Sequence, residues 1–532
     1  MTAEVQTDVP PSLTGAPSVT LDGGRLGDLE LLLSGAFSPL KGFMGATDVT
    51  AVLEHGTLVD GTPWPIPVTL DVRPDEVPAD ARNVLLADPE GTPLAVLEIT
   101  ERGDPPGARH AREGGAQRLT RLAGPVTSLR EPEHGPFRRL MLRPAQARAA
   151  LGDVPVLAFA TRRPLHSRQI GQLRHMAGQL KARLLLLPLT AGPAEVVIRP
   201  EALIRSVLAA ASSLPPGTMV IPVPLAARGQ AAGVGPEREL CAWAHVAAAY
   251  GATHLMADDY PPSAAGAVLG ANGTPVTPGP PIPVVRAGDW AYDPMAEVWR
   301  PLALIEAGAE REDMSPDELA DLLDAGAEIP AWFTPVAVAN ELRRARPPRA
   351  RRGFVLFLTG LSGSGKSTIA RNLADALAER GDRKVTLLDG DLIRQLLSAG
   401  LGFSRADRDL NIARIGFVAA EIARHGGIAI CAPVAPYATA RAQVREMVSE
   451  VGDFLLIYVA TPIEVCEARD RKGLYAKARA GIIGQFTGVS DPYEEPLDAD
   501  LVIDTSTMSR EQATDAVLNL LTSGGWLTQS PG

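Results

Sequence analysis

The chain predicts an α/β protein of several domains whose last third is built on a parallel sheet, and three observations carry that prediction. A glycine-rich loop sits between an apolar run at 354–359 and a helical pattern through Ile369, Leu373 and Leu377. Further apolar runs then alternate with longer helix- or loop-like segments up to residue 503. Such alternation implies parallel strands covered by helices on both faces. The first 150 residues have another texture, rich in Pro, Gly and short apolar pieces, which suggests a β-rich module. At 532 residues the chain is long for one hydrophobic core and fits two or three domains.

Taken in order, the run at 66–72 marks strand within the β-rich module. From residue 154 the texture becomes α/β, with strands expected at 154–159, 184–187 and 218–223 and a helix at 237–250. Residues 343–353, RRARPPRARRG, interrupt the apolar pattern with six arginines and two prolines, and predict an extended, exposed linker. A nucleic-acid-binding arm is the sharper alternative, and the acidic character of the whole chain argues against it. Beyond the linker, strands are expected at 354–359, 385–388, 428–434, 454–459 and 501–503. The resulting division is 1–150, 151–342, the linker 343–353, and 354–532.

Apolar residues make up 45% and charged residues 21%, the balance of an ordinary globular protein. The formal net charge of −11 argues against nucleic acid as a partner, since phosphate backbones reward basic surfaces. Cys241, Cys431 and Cys466 are widely spaced and form no CxxC pair, so neither a disulfide framework nor a zinc site is suggested. The N-terminus lacks a basic start and apolar run, and no apolar stretch approaches the ~20 residues that cross a bilayer. A cytoplasmic protein with no membrane partner is expected.

Gly360, Leu361, Ser362, Gly363, Ser364, Gly365, Lys366 and Ser367 match GxxxxGK[ST] in full, followed by Thr368. Glycines let backbone N–H groups turn inward around a phosphate at a helix N-terminus. Lys366 supplies a point charge, and the Ser367 hydroxyl suits Mg²⁺ bound with ATP. The next strand ends in Asp389-Gly390-Asp391, two carboxylates at the carboxyl edge of the sheet. One can organise a metal's water shell and the other can accept a proton from an attacking hydroxyl. A set of cations, aromatics and amides follows: Arg394, Phe403, Arg408, Asn411, Arg414, Lys472, Tyr475, Lys477, Arg479 and Phe486. Rings stack a base and arginines fork onto anionic oxygens, so the set suits a second anionic nucleotide.

The run LDGDLIRQLLSAGLGFSRADRDLNIARIG, with KGLYAKARAG and FTGVSDPYE, closely resembles adenylyl-sulfate (APS) kinase over about 353–505. The resemblance implies transfer of the ATP γ-phosphate to the 3′-hydroxyl of APS, giving PAPS. It places Lys366, Ser367 and Asp389 at ATP and magnesium, Asp391 as catalytic base, and Arg469 near the ATP base. Arg394, Arg408 and Asn411 would grip the phosphosulfate of APS, Phe403 and Phe486 would sandwich its adenine, and Lys472 would lie on a mobile lid. Two departures stand out. The family's Ser-Pro-Tyr is Ala435-Pro436-Tyr437 here, which removes any phosphoserine step, and its asparagine after Asp-Gly-Asp is Leu392.

Upstream, SGAFSPLKGFMG at 34–45, WPIPVTLDV at 64–72 and AEIPAWFTPVAVANELR at 327–343 resemble ATP sulfurylase, the enzyme that makes APS. That resemblance implies an N-terminal PUA-like barrel module followed by a Rossmann-like nucleotidyltransferase domain. The family's first nucleotide motif, Gln-x-Arg-Asn-Pro-x-His-x-x-His, reads Ala160-Thr-Arg-Arg-Pro-Leu-His-Ser-Arg-Gln169. It keeps Arg162 and His166 and loses the glutamine and second histidine. The second motif falls on Asp258-Asp259-Tyr260-Pro261 after Thr253-His254, and the third on Ser315 to Ala320 without its glycine, threonine and arginine. The expected protein is therefore an APS kinase of sulfate assimilation with a degenerate sulfurylase-like region around Arg162, His166 and His254; the alternatives are a fully bifunctional enzyme making PAPS from sulfate and ATP, and a nucleotide-binding regulatory pseudoenzyme. Its partners should be the nucleotides ATP, APS and PAPS, and it should form a homo-oligomer.

Overall fold

The computed structural model describes residues 10, 13–105, 119–131, 135–191, 198–229, 233–257, 279–308, 313–402, 404–470 and 473–528, apart from the side chains of Asp391 and Leu392. The chain divides into two compact units, Met1–Pro316 with Ile329–Ala345, and Asp317–Glu328 with Arg346–Gly532.

The first unit opens with a seven-stranded sheet, ordered Ser18–Thr20, Asn83–Ala87, Pro93–Glu98, Thr120–Ser128, Gly42–Phe43, with Leu70–Val72 and Glu101–Gly103 also paired to Thr120–Ser128. All pairs are antiparallel except the first. The strand expected at 66–72 is confined to Leu70–Val72, because Pro65 and Pro67 have no N–H to give a ladder. Helices Gly23–Ser34 and Ala46–His55 fall between strands of this sheet in the sequence.

Six parallel strands form the unit's second sheet, in the order Met219–Val220, Arg183–Ala191, Val156–Thr161, His254–Met256, Val284–Val285, with Val223–Ala226 also paired to Arg183–Ala191. Every residue of Val156–Thr161 is buried, as a strand covered on both faces requires. The single strand expected at 218–223 is two strands, Met219–Val220 and Val223–Ala226, broken where Pro222 interrupts the ladder. One continuous apolar core joins residues of both sheets, from Val19 and Trp64 to Leu187 and Leu255.

In the second unit five parallel strands run Val385–Leu388, Ile428–Cys431, Phe354–Thr359, Asp453–Val459, Leu501–Ile503. Alternate side chains of the central strand go to opposite faces. Phe354, Leu356 and Leu358 pack with helices Lys366–Arg380 and Arg510–Ser523, whereas Val355 and Phe357 pack with Arg405–Arg424 and Ala438–Ser449. Fully burying each such side chain stabilises the fold by about 1.5–3 kcal/mol.

The expectation of an extended, exposed linker at 343–353 is corrected here. Helix Val336–Ala345 carries through Arg343 and Arg344, and Arg349–Arg351 form a short 3-10 turn. Within the second unit, Arg346 forks onto Asp324 at 2.7 and 2.9 Å, Arg349 and Arg352 reach the same carboxylate, and Arg352 also meets Asp453 at 3.0 Å. Acidic partners neutralise the cluster, so it folds back rather than repelling itself. Among the described residues no helix is long and apolar enough to cross a membrane.

Candidate functional site

In the second unit the central strand Phe354–Thr359 ends where chain order reverses across the sheet, the position at which open α/β sheets take ligands. The chain then turns through the glycine loop into helix Lys366–Arg380. Gly360 has φ +145°, and a Cβ there would lie 2.4 Å from the carbonyl oxygen of Val459. Gly365, at φ +102°, caps the helix from the left-handed region. Neither conformation accepts a side chain without strain.

The loop's carbonyls are turned onto donors. Lys366, only 6% exposed, donates Nζ to the carbonyls of Gly360 at 2.9 Å and Leu361 at 2.7 Å. The Tyr475 hydroxyl donates to the Ser362 carbonyl at 2.9 Å, and the hydroxyls of Thr461 and Thr505 lie 3.0 and 2.9 Å from the Ser364 carbonyl. In a trans peptide the following N–H points the opposite way. The N–H groups of Leu361, Ser362, Gly363 and Gly365 thus face away from these donors and are left for an anion.

Asp389 closes strand Val385–Leu388 and is mostly buried, with Arg371 donating to its Oδ2 at 3.0 Å. Gly390 begins the helix Gly390–Leu396, which puts Asp391 in that helix's first turn. The side chains of Asp391 and Leu392, and the whole of Phe403 and Lys472, lie outside the described residues.

The remaining acceptor-side candidates divide. Asn411 is 7% exposed, and its Oδ1 has no hydrogen-bond partner among the described residues. Arg394 donates to the Gly402 carbonyl at 3.2 Å. Arg408 is turned inward: it donates to Asp491 Oδ2 at 2.6 Å, Thr487 Oγ1 at 2.8 Å and the Gln485 carbonyl at 2.6 Å. It thereby holds the loop carrying Phe486, whose ring meets Tyr475 edge-on at 5.0 Å. Tyr437 joins this arrangement by donating its hydroxyl to the same Asp491 oxygen at 2.7 Å. Ala435 is buried in the left-handed region, φ +44°. Arg469 donates to Thr505 Oγ1 at 2.7 Å and to its carbonyl at 2.9 Å. Sequence reasoning missed Arg371, Tyr437, Asp491 and Thr505. Only Tyr437 and Asp491 had a signal, since both fall within motifs already singled out.

The first unit's candidates are engaged in building the fold. Arg162 spans strand ends, donating to the carbonyls of Ala191 at 2.7 Å and Leu225 at 2.9 Å. His166 stacks on Phe333 with ring centroids 4.2 Å apart, and its Nδ1 is buried with no hydrogen-bond partner among the described residues. Burial, then the neighbouring Arg168 charge, lowers its pKa to about 3, so the ring is neutral near pH 7. Arg168 itself pairs with Asp313 at 2.8 Å. The grouping of His254 with these residues is corrected. His254 starts a strand in register with Leu157, at the amino edge of the sheet, whereas Arg162 and His166 follow the carboxyl ends. The chain at 258–261, which carries the second motif, lies outside the described residues. The third motif falls on the start of helix Pro316–Ala325.

The neutral His166 makes a prediction. In the unfolded chain it takes a proton below about pH 6.5, while the folded ring resists one until about pH 3, so the first unit loses stability as pH falls through that window. His166→Phe keeps the stack and removes the titration. Its melting temperature minus that of the wild type should grow as pH drops from 7 to about 4 in calorimetric scans, and a constant difference would refute the burial argument.

Comparison with known proteins adds three domain matches: a PUA-like domain at 3–113, ATP-sulfurylase at 138–345 and adenylylsulphate kinase at 352–504. The chain is 36% identical to a sulfate adenylyltransferase of Mycosarcoma maydis, covering 95% of this chain and 94% of that one. It is 37% identical to a sulfate adenylyltransferase of Phaeosphaeria nodorum, covering 96% and 94%. Among solved structures it is similar to a hexameric APS kinase from Thiobacillus denitrificans, with TM-score 0.73, 34% identity, and 97% and 95% coverage.

Proposed function

The chain belongs to the sulfate adenylyltransferase family, in the form that ends in an adenylylsulphate kinase domain, and from that premise we propose that its working activity is the kinase. The reaction transfers the γ-phosphoryl group of ATP to the 3′-hydroxyl of APS. One observation carries this reading: the phosphate loop is complete and pre-shaped around a buried Lys366, while Arg162 and His166 are spent on backbone carbonyls and an aromatic stack.

Lys366 exchanges its two loop carbonyls for phosphate oxygens when ATP enters, at little cost in rearrangement. Asp391 accepts the 3′-hydroxyl proton as the oxygen bonds to the γ-phosphorus and the bridging oxygen leaves with ADP. Ala435 offers no nucleophile, so transfer is direct. Asn411, whose buried oxygen has no hydrogen-bond partner among the described residues, and Arg394 face the acceptor; Arg408 acts through the loop that bears Phe486. The Ser367 hydroxyl and Asp389 carboxylate are hard oxygen donors that fit Mg²⁺, which would neutralise charge on the phosphates. Both nucleotides are the partners, and a homo-oligomer accords with the hexameric relative.

The decisive experiment follows ADP release from ATP, Mg²⁺ and APS, alongside pyrophosphate release from ATP and sulfate, with the purified full chain. We expect APS-dependent ADP and background pyrophosphate. No APS-dependent ADP release overturns the kinase reading. Pyrophosphate release above background favours the second reading, a fully bifunctional enzyme, which the names of the relatives keep in view.

A further inference from the structure

Strand Asp453–Val459 and the edge strand Leu501–Ile503 each exit toward the phosphate loop, and each exit carries a threonine. Thr461, 3% exposed, and Thr505 lie 2.9 Å apart, and both hydroxyls are within 3.0 Å of the Ser364 carbonyl. Thr505 also packs on the loop directly: a Cβ at Gly365 would meet its Cγ2 at 3.2 Å. From the other side Arg469 takes both oxygens of Thr505, Nη1 to the hydroxyl and Nη2 to the carbonyl, while the Thr505 N–H donates to Thr461 Oγ1 at 3.3 Å.

Proton bookkeeping orients this chain of contacts. A threonine hydroxyl has one proton and two lone pairs, and a guanidinium only donates. Thr505 Oγ1 must therefore accept from Arg469, which leaves its proton for the Ser364 carbonyl or for Thr461 Oγ1. Thr461 offers its proton to the second lone pair of that carbonyl or to Thr505. The carbonyl of Ser364 fixes the peptide whose N–H belongs to Gly365, one of the groups left for an anion. The resemblance puts Arg469 beside the ATP base, and on that reading one side chain joins the two ends of the nucleotide site.

We propose that Thr505 is a positioning residue for ATP: it holds the phosphate loop in its binding shape through the Ser364 carbonyl and seats Arg469 for the adenine. It does not touch the acceptor. The inference rests on the kinase reading for its second half only, because the phosphate loop binds ATP whatever the acceptor is.

The test compares Thr505→Val, which keeps the shape and loses the hydroxyl, with Thr505→Ser, which keeps the hydroxyl. Binding of a fluorescent ATP analogue is read without turnover, and KM for ATP and for APS with it. Thr505→Val should weaken analogue binding and raise the ATP KM about tenfold, with the APS KM within about twofold of wild type. Thr505→Ser should lie within about twofold of wild type on every measure. Arg469→Ala should weaken binding less than additively with Thr505→Val, since both break one linkage. Unchanged analogue binding in Thr505→Val, a serine variant as weak as the valine, or an additive double variant overturns the proposal. Failure of the kinase reading shows separately, as absent APS-dependent ADP release in the wild type while analogue binding still reports on Thr505.

Discussion

Lys366→Ala is expected to lower APS-dependent ADP release by about 10³-fold, with Lys366→Arg close behind. The Lys366 ammonium is buried, and two of its protons are on the Gly360 and Leu361 carbonyls. It is a charge held beside the loop before the phosphates arrive, within reach of them once it leaves those carbonyls, in surroundings where water screens little. Charge built up on the oxygens around the transferring phosphorus is stabilised only by such preset groups, since the protein does no covalent chemistry of its own here. Arginine keeps the charge, but its planar fork is wider than an ammonium and cannot enter the same turn. Alanine also strands two loop carbonyls, so some nucleotide affinity goes with the rate. The measurement is single-turnover ADP release at saturating ATP, with the thermal transition of each variant recorded to confirm folding. Turnover within tenfold of wild type in a folded Lys366→Ala protein would remove the phosphate loop from the reaction.

What could be read in advance was whatever depends on neighbours in sequence. Residues 354–359 are apolar throughout, and a strand buried on both faces needs that; the loop motif follows from the geometry of a phosphate cradle. Contacts made across long stretches of chain left no local trace. The arginine-rich stretch read as self-repelling because its acids, Asp324 and Asp453, come from elsewhere in the sequence. Arg408 read as an open anion grip, and it instead serves a loop about 80 residues later. His254 went astray differently. It was taken with the motif that follows it, yet a strand lies between, and crossing a parallel strand moves the chain from one edge of the sheet to the other.

Asp324→Ala should cost the second unit about 3 kcal/mol, as removing one partner from a buried ionic cluster does. The Asp324 side chain is 10% exposed and receives Arg346, Arg349 and Arg352, so its loss leaves three cations facing one another. Arg352 would keep Asp453, which also accepts from Trp526 Nε1 at 2.7 Å, and the damage should stop short of that residue. In calorimetry the second unit's transition, identified as the one that ATP raises, should fall by about 6–12 °C. Burial pushes the Asp324 pKa up, but the hydrogen bonds from Arg346 and Arg352 and their charges outweigh it and draw the carboxyl down to about 2. A group held below its unfolded value contributes its full stability above that value and loses it as pH falls through the folded one. The gap between wild type and Asp324→Asn should therefore be constant above about pH 5 and shrink from there toward pH 2. Asparagine that melts with the wild type at neutral pH would show that shape, rather than charge, holds the arginines. The cluster also sets where the second unit begins, because Asp324 comes from the segment Asp317–Glu328. A truncated chain starting at Arg346 lacks that carboxylate and should melt no higher than the full-length alanine variant's second transition.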